Sequence, residues 1–214
     1  MVILIFLLIS GWFFTNGLFL INQADPQSLF GIIPLIFLFF VPAITMRLIS
    51  EEKKSGTIEV LVTLPLRDEE IILGKFLASL ILLSVAIFLT LVHVLTLAGL
   101  GDVDWGSVVG GYLGLILIGA AYLSIGIFTS SLTQNQIVAF ITSFVIIFIF
   151  FMLDKILFFV PNFLASFLEY LSVDYHFSNI ARGVIDTRDL IYYFSLIGFF
   201  LFLAVRTLES RKWR

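Results

Sequence analysis

Residues 47–75 read RLISEEKKSGTIEVLVTLPLRDEEIILGK, the only long polar interruption on its side of a chain otherwise built from long apolar runs. Charges crowd the two ends of this stretch. Between them Ile58, Leu61 and Val62 fall at i, i+3 and i+4 and share one face of a short helix, with Glu59 and Thr63 on another. Gly56 precedes that helix and Pro65 ends it. A short helix held between two long apolar segments is either a mechanical contact element or an interfacial helix resting on lipid headgroups. The residues of the loop alone do not choose between these two.

Working outward, the composition identifies the solvent. The chain of 214 residues is 60% hydrophobic and only 13% charged, with a mean hydropathy of +1.14. A soluble domain of that length has too little interior to hide so much apolar surface, so the surroundings are lipid. The 25 phenylalanines suit helices that face acyl chains and one another. With no cysteine there is no disulfide framework, thiolate metal site or thiol nucleophile. The net charge of −3 matters less than where the basic residues sit.

A helix needs about 20 apolar residues to cross a hydrocarbon core of about 30 Å. Six segments are expected to do so, roughly 1–22, 29–49, 71–98, 108–132, 137–160 and 190–206, forming one all-α transmembrane domain over residues 1–214. Strand alternation is absent, which removes the closed barrel as the other spanning solution. Arg47, Lys53, Lys54, Arg67, Lys75, Arg206, Arg211, Lys212 and Arg214 fall on one side, against Lys155, Arg182 and Arg188 on the other. That bias puts the 47–75 loop and the C-terminus in the cytoplasm, and six spans put the N-terminus there too. Met1 opens directly into VILIFLLISGWFF without a basic flank or a signal-peptide pattern, so a cytoplasmic leader is expected to be missing before it.

Several features within the spans carry expectations of their own. Pro34 and Pro42 kink the second span. Residues 69–98 as one helix would extend about 45 Å, so its first turns project beyond the membrane, with Asp68 as N-cap and Lys75 snorkelling at headgroup level. His93, a lone histidine in the third span, suits a hydrogen bond to a neighbouring helix better than a proton relay. Gly106, Gly110 and Gly114 make two small-xxx-small steps, suited to close packing within one subunit. The segment from Asp154 to Asp189 is expected to form an outer cap of short helices, with Arg182 and Asp186 one turn apart as a candidate pair. Glu169, Asp174 and His176 lie close in sequence but lack clear metal-ligand spacing.

No catalytic residue, cofactor site or metal site is identified. A phosphate-binding loop needs Gly-x-x-x-x-Gly-Lys-Ser/Thr, and here Gly74-Lys75 is followed by Phe76 while position 69 is Glu. The scarcity of ionisable groups within the spans argues against a secondary transporter.

The stretch EEKKSGTIEVLVTLPLRDEEIILGKFLA resembles the cytoplasmic loop of type-2 ABC transporter permeases, matching at Glu51, Glu52, Gly56, Thr57, Glu59, Pro65, Gly74 and Lys75. The C-terminal stretch, through His176, Phe177, Arg182, Gly183, Val184, Ile185, Asp186, Arg188 and Asp189, is similar to the gliding-motility-associated branch of that family. The resemblance implies a six-span permease subunit in the inner (plasma) membrane, driven by a separate cytoplasmic ABC ATPase that holds the ATP and Mg. It also implies a second permease copy or a similar membrane subunit, and no nucleic acid. The ATPase-coupling residues it implies are Glu51, Glu52, Gly56, Thr57, Ile58, Glu59, Leu61 and Pro65. That family carries a cytoplasmic leader with an amphipathic helix before its first span, which this sequence does not show. A membrane scaffold that recruits a cytoplasmic partner through residues 47–75 is the alternative.

Overall fold

The computed structural model describes residues 1–19, 26–58, 67–156 and 161–210, and every regular element among them is helical. Helix α1 (Val2–Phe19) is followed by α2 (Pro26–Thr45), a short α3 (Ser50–Ser55), α4 (Asp68–Leu89) and α5 (Leu91–Leu100). Then come α6 (Trp105–Leu132), α7 (Gln136–Ile156), two short helices α8 (Asn162–Leu171) and α9 (Val173–Ala181), and α10 (Thr187–Glu209).

Five helical stretches are long and apolar enough to cross a membrane: Leu29–Ser55, Asp68–Leu100, Trp105–Leu132, Gln136–Ile156 and Thr187–Glu209. Helix α1 is apolar but shorter, so the expected sixth span is not reached within the described residues. Two boundaries also differ from expectation. The second span does not stop near residue 49 but turns at Met46–Ile49 and resumes as α3, which makes residues 50–55 helical. The third span is divided at Thr90, whose hydroxyl turns back to the Ile87 carbonyl (2.6 Å) and meets the Tyr112 hydroxyl of α6 (3.1 Å). Hydroxyls that bond the preceding turn also occur at Ser79, Ser124 and Thr129 in unbroken helices, so it is the contact with Tyr112 that sets Thr90 apart. At the other end of α4, Arg67 rather than Asp68 is the N-cap. Glu70 reaches back to the Arg67 N–H at 2.9 Å, half of a capping box.

Helix α6 is the centre of the bundle. Of its most apolar window 78% is buried, against 22% for α7 and 28% for α10, and α2, α4, α7, α9 and α10 all pack on it. Small residues permit this. In lipid, apolar area gives no preference for helix over acyl chain, so association depends on close van der Waals approach, which small side chains allow. A Cβ placed on Gly110 would lie 2.2 Å from the Ile180 carbonyl oxygen of α9, and one on Gly111 would lie 2.3 Å from the Phe30 ring of α2. On Gly119 it would meet Leu83 of α4 at 2.4 Å, and on Gly126 the Thr45 hydroxyl of α2 at 2.1 Å. The glycine steps at 106, 110 and 114 therefore serve contacts inside the subunit, Gly114 taking the Phe177 ring of α9.

Helix α2 runs through both Pro34 and Pro42 and buries Ile33, Phe37 and Val41 completely. Phe6 of α1 is fully buried against Phe37 and Phe40, with ring centroids 6.0 and 4.8 Å away. His93 rests on Phe14 of α1 at 4.8 Å, but its Nδ1 is buried with no hydrogen-bond partner among the described residues, contrary to the interhelical bond expected for it.

Gly110→Ala should lower stability by about 1–3 kcal/mol, since the new methyl meets backbone of α9 and not the end of a flexible side chain. Gly198→Ala, where a Cβ meets nothing within 4 Å, should be neutral or slightly stabilising. Thermal unfolding of the detergent-solubilised variants measures both, and equal losses would refute the close-packing account.

Candidate functional site

The two ends of the 47–75 segment are joined by an ion pair, and the first of them is fastened to the end of α6. The turn between α2 and α3 leaves a helix start that Ile49, at the N-cap position, has no side-chain oxygen to satisfy. Helix starts leave several N–H groups without intrahelical acceptors, and here the acceptor comes from another helix. Ser130 Oγ accepts from the N–H groups of Ile49 (3.2 Å) and Ser50 (3.1 Å) and donates to the Met46 carbonyl (3.2 Å). Ile49, Ser50 and Ser130 are all buried, so this one hydroxyl completes a turn that water does not reach. The Ser50 hydroxyl itself donates to the Met46 carbonyl.

Two charged side chains of α3 extend the same attachment. Lys53 Nζ donates to the Ser131 carbonyl at the C-terminal end of α6, where a cation is favoured by the helix dipole. Glu52 pairs with Lys75 of α4 at 2.5 Å, both side chains being partly buried. Lys75 thus ties α4 to α3. The 23-residue interval between Glu52 and Lys75 is therefore closed at its base. The second carboxylate oxygen of Glu52 is buried with no partner among the described residues.

Helix α3 ends at Gly56, whose φ of 73° is the left-handed conformation that L side chains adopt only at a cost of about 1–2 kcal/mol. Beyond it, the Thr57 hydroxyl lies 2.8 Å from that of Ser55, and Ile58 is buried in the main apolar cluster. Of the residues implied in coupling, Glu51, Gly56 and Thr57 are exposed. Glu52 instead turns inward to Lys75, and Ile58 is buried. Glu59, Leu61 and Pro65, with most of the expected helix over 58–64, lie outside the described residues.

The sequence reading missed the other half of this site, Ser130 and Ser131. Its signal was present: Thr129, Ser130 and Ser131 form a run of hydroxyls at the end of an apolar span, and all three are fully buried. Buried hydroxyls require partners, and a polar triplet at a span end marks where another segment's backbone docks.

At the opposite end of the bundle α8 and α9 form the expected cap of short helices. His176 Nδ1 lies 2.6 Å from Asp189 Oδ1 and its Nε2 lies 2.9 Å from the Tyr170 carbonyl oxygen, with the ring stacked on Tyr192 at 4.0 Å. Tyr192 and Tyr193 donate to the carbonyls of Leu171 and Val173. Asp174 pairs with Lys155 of α7 at 2.7 Å, so it and His176 are engaged separately. Among the described residues no group of three or more acidic or histidine side chains is placed to hold a metal ion. The candidate pair of Arg182 and Asp186 does not form. The helix stops at Ala181 and turns at Gly183 (φ 85°), which removes the one-turn spacing, and Asp186 instead caps α10 by accepting from the Arg188 N–H at 3.0 Å.

Residues 8–206 match the family model described as ABC-2 family transporter protein. No curated protein matches the chain.

Ser130→Ala should cost about 1–3 kcal/mol, because two buried N–H groups and a carbonyl lose their partner. Amide hydrogen exchange at Ile49 and Ser50 should rise with it. Unchanged exchange at those two positions would contradict the assignment of Ser130 as their acceptor.

Proposed function

This chain belongs to the ABC-2 transporter family, and from that premise we propose that it couples ATP hydrolysis on a separate subunit to the movement of a substrate across the membrane. It is a multi-pass permease component, and its family implies association with an ABC ATPase. In the proposal residues 51–65 form the surface on which that ATPase acts. Glu51, Gly56 and Thr57 make or shape the outward contact, and Glu52 holds the loop's base. ATP and Mg are held by the ATPase. A second copy of the chain, or a similar membrane subunit, completes the path. The 47–75 side faces the cytoplasm and the protein resides in the inner membrane, with both termini inside.

One observation carries this reading: the loop is fastened at its base, α3 to the end of α6 by Ser130 and Lys53, and α4 to α3 by the Glu52–Lys75 pair. A displacement applied between Gly56 and Arg67 is resisted at that base and passed to α2, α4 and α6 together. An interfacial helix that only rests on headgroups has no need of such a base. The direction of transport in the proposal is export, and its support is the family alone. The likeness of the C-terminal stretch to the gliding-motility-associated branch supports a role in motility or secretion.

The test is co-purification from the native host with an affinity tag on this chain, followed by identification of a polypeptide carrying an ABC ATPase phosphate-binding loop. Glu51→Lys reverses an exposed charge, and Gly56→Pro removes the positive φ. Each should reduce recovery of the ATPase about tenfold, the loss of roughly 1.4 kcal/mol of binding, while Glu51→Lys leaves the melting temperature unchanged. Full recovery and full stimulation of ATP hydrolysis in both variants would sink the assignment of this loop.

A further inference from the structure

At the far end of the bundle from the proposed coupling loop, both ring nitrogens of the buried His176 face acceptors. Its Nε2 lies 2.9 Å from the Tyr170 carbonyl oxygen, in the last turn of α8. Its Nδ1 lies 2.6 Å from Asp189 Oδ1, in the first turn of α10. A carbonyl oxygen can only accept, so Nε2 carries a hydrogen. A carboxylate likewise only accepts, so Nδ1 carries another. A neutral imidazole has one N–H and serves one of these acceptors, whereas the imidazolium serves both.

The surroundings favour that charge state. The Tyr170 carbonyl belongs to the negative end of α8, which suits a cation, and Asp189 sits at the positive end of α10, which suits a carboxylate. The ring is stacked on Tyr192 at 4.0 Å, with the rings of Tyr170, Tyr175 and Tyr193 at 5.4, 5.5 and 6.5 Å. Aromatic neighbours at this range attract a cation. Asp189 is 3% exposed and its Oδ2 has no partner among the described residues, so the carboxylate depends on the one donor. Of the other charges around the pair, Asp174 of α9 holds Lys155 of α7, which also holds Asp154. Glu169 of α8 is partly exposed and Arg188 of α10 exposed. Tyr122 of α6, beside Tyr192 and Tyr193, completes the titratable groups, and tyrosine hydroxyls keep their protons below about pH 10.

We propose that one proton on His176 latches the end of α8 to the start of α10, and that raising the pH releases the end of α8. Neutral, the ring keeps either the carboxylate or the Tyr170 carbonyl. The carbonyl is the one that water can serve, since Tyr170 is exposed and Asp189 is not. The sign follows from the proton count. Once α8 lifts, water reaches the ring, and a histidine in water loses its proton at about pH 6.5, whereas the latched ring keeps it. Latching therefore takes up a proton above about pH 6.5, and the latched-to-released ratio falls there by up to about tenfold per pH unit. Between about pH 5 and 6 both states carry the proton, and the ratio is flat.

The chain has no cysteine and only 2 histidines, which permits a direct test. In a His93→Gln background, spin labels at Phe167→Cys of α8 and Phe194→Cys of α10, both exposed positions, report the distance between the two helices by pulsed electron resonance. One distance should dominate near about pH 5.5, and a longer one should gain on it by up to about tenfold per unit above about pH 6.5. Asp189→Asn should stay latched and lose the pH response. Its amide donates to Nδ1 and leaves a neutral ring its Nε2 hydrogen for Tyr170, an immunity that a merely structural contact would not confer. Nitrogen NMR of labelled histidine in the His93→Gln chain, otherwise unaltered, should show hydrogens on both nitrogens of His176 at about pH 7.5, where a free histidine is mostly neutral. A neutral ring at that pH, a distance that does not change with pH, or the same pH response in Asp189→Asn would each overturn the proposal.

Discussion

Close approach to α6 is the constraint on which the rest of the bundle depends. In lipid no gain in apolar burial separates a helix neighbour from an acyl chain, so helices assemble where backbones come near enough for dispersion contacts and polar groups find partners. Helix α6 presents glycine to α2, α4 and α9 at successive levels, at Gly111, Gly119, Gly126 and Gly110. Each of those gaps is filled by a side chain or backbone from the neighbour, with Phe30, Leu83, Thr45 and the Ile180 carbonyl as the inserted groups. The large residues lie on the surrounding helices and the recesses lie on the central one.

Serine hydroxyls then fasten this helix at its two ends. Near its start Ser107 takes the Ala181 carbonyl of α9, and near its finish Ser130 takes the turn between α2 and α3. Both attachments satisfy backbone groups that the neighbouring element leaves open where its own helix stops or starts. The loop that meets the cytoplasmic partner in our proposal and the cap at the far end are therefore both built on the same 28-residue helix. Displacing one end of so closely packed a strut without the other would require voids along its length, which packed interiors do not tolerate cheaply.

The bundle was largely legible in the sequence because lipid imposes a simple length rule on apolar runs. Five of the six expected segments correspond to long apolar helices, and the short helices of the cap fall where the extra length of residues 154–189 put them. What escaped depends on contacts distant in sequence. Ser130 acts on residues 80 positions earlier, and nothing local to position 130 names its partner. The break at Thr90 falls where its hydroxyl meets that of Tyr112, 22 positions later, in a run that otherwise reads as continuous helix. Arg182 and Asp186 have helical spacing in the sequence, but Gly183 between them adopts a left-handed turn and the spacing loses its meaning. At the candidate site the charges at the ends of the loop were visible as charges. That Glu52 would pair with Lys75, leaving Glu51 outward, was set by which face of α3 lies on α6 and α7.

The partnership between Ser130 and the α2–α3 turn also bears on the order in which the chain can be completed. A nascent chain delivers residues 49 and 50 to the membrane 80 residues before their acceptor exists. The Glu52–Lys75 clasp needs only 23 residues and can close within the first helical pair. Closure over the shorter interval costs less chain entropy, so the Glu52–Lys75 pair can close while the Ile49 and Ser50 amides still lack their acceptor. Insertion of α6 supplies their acceptor. That end of the bundle is thus finished by the central helix rather than by the segment that leads into it, and a chain truncated before residue 130 would present the α2–α3 turn without its acceptor.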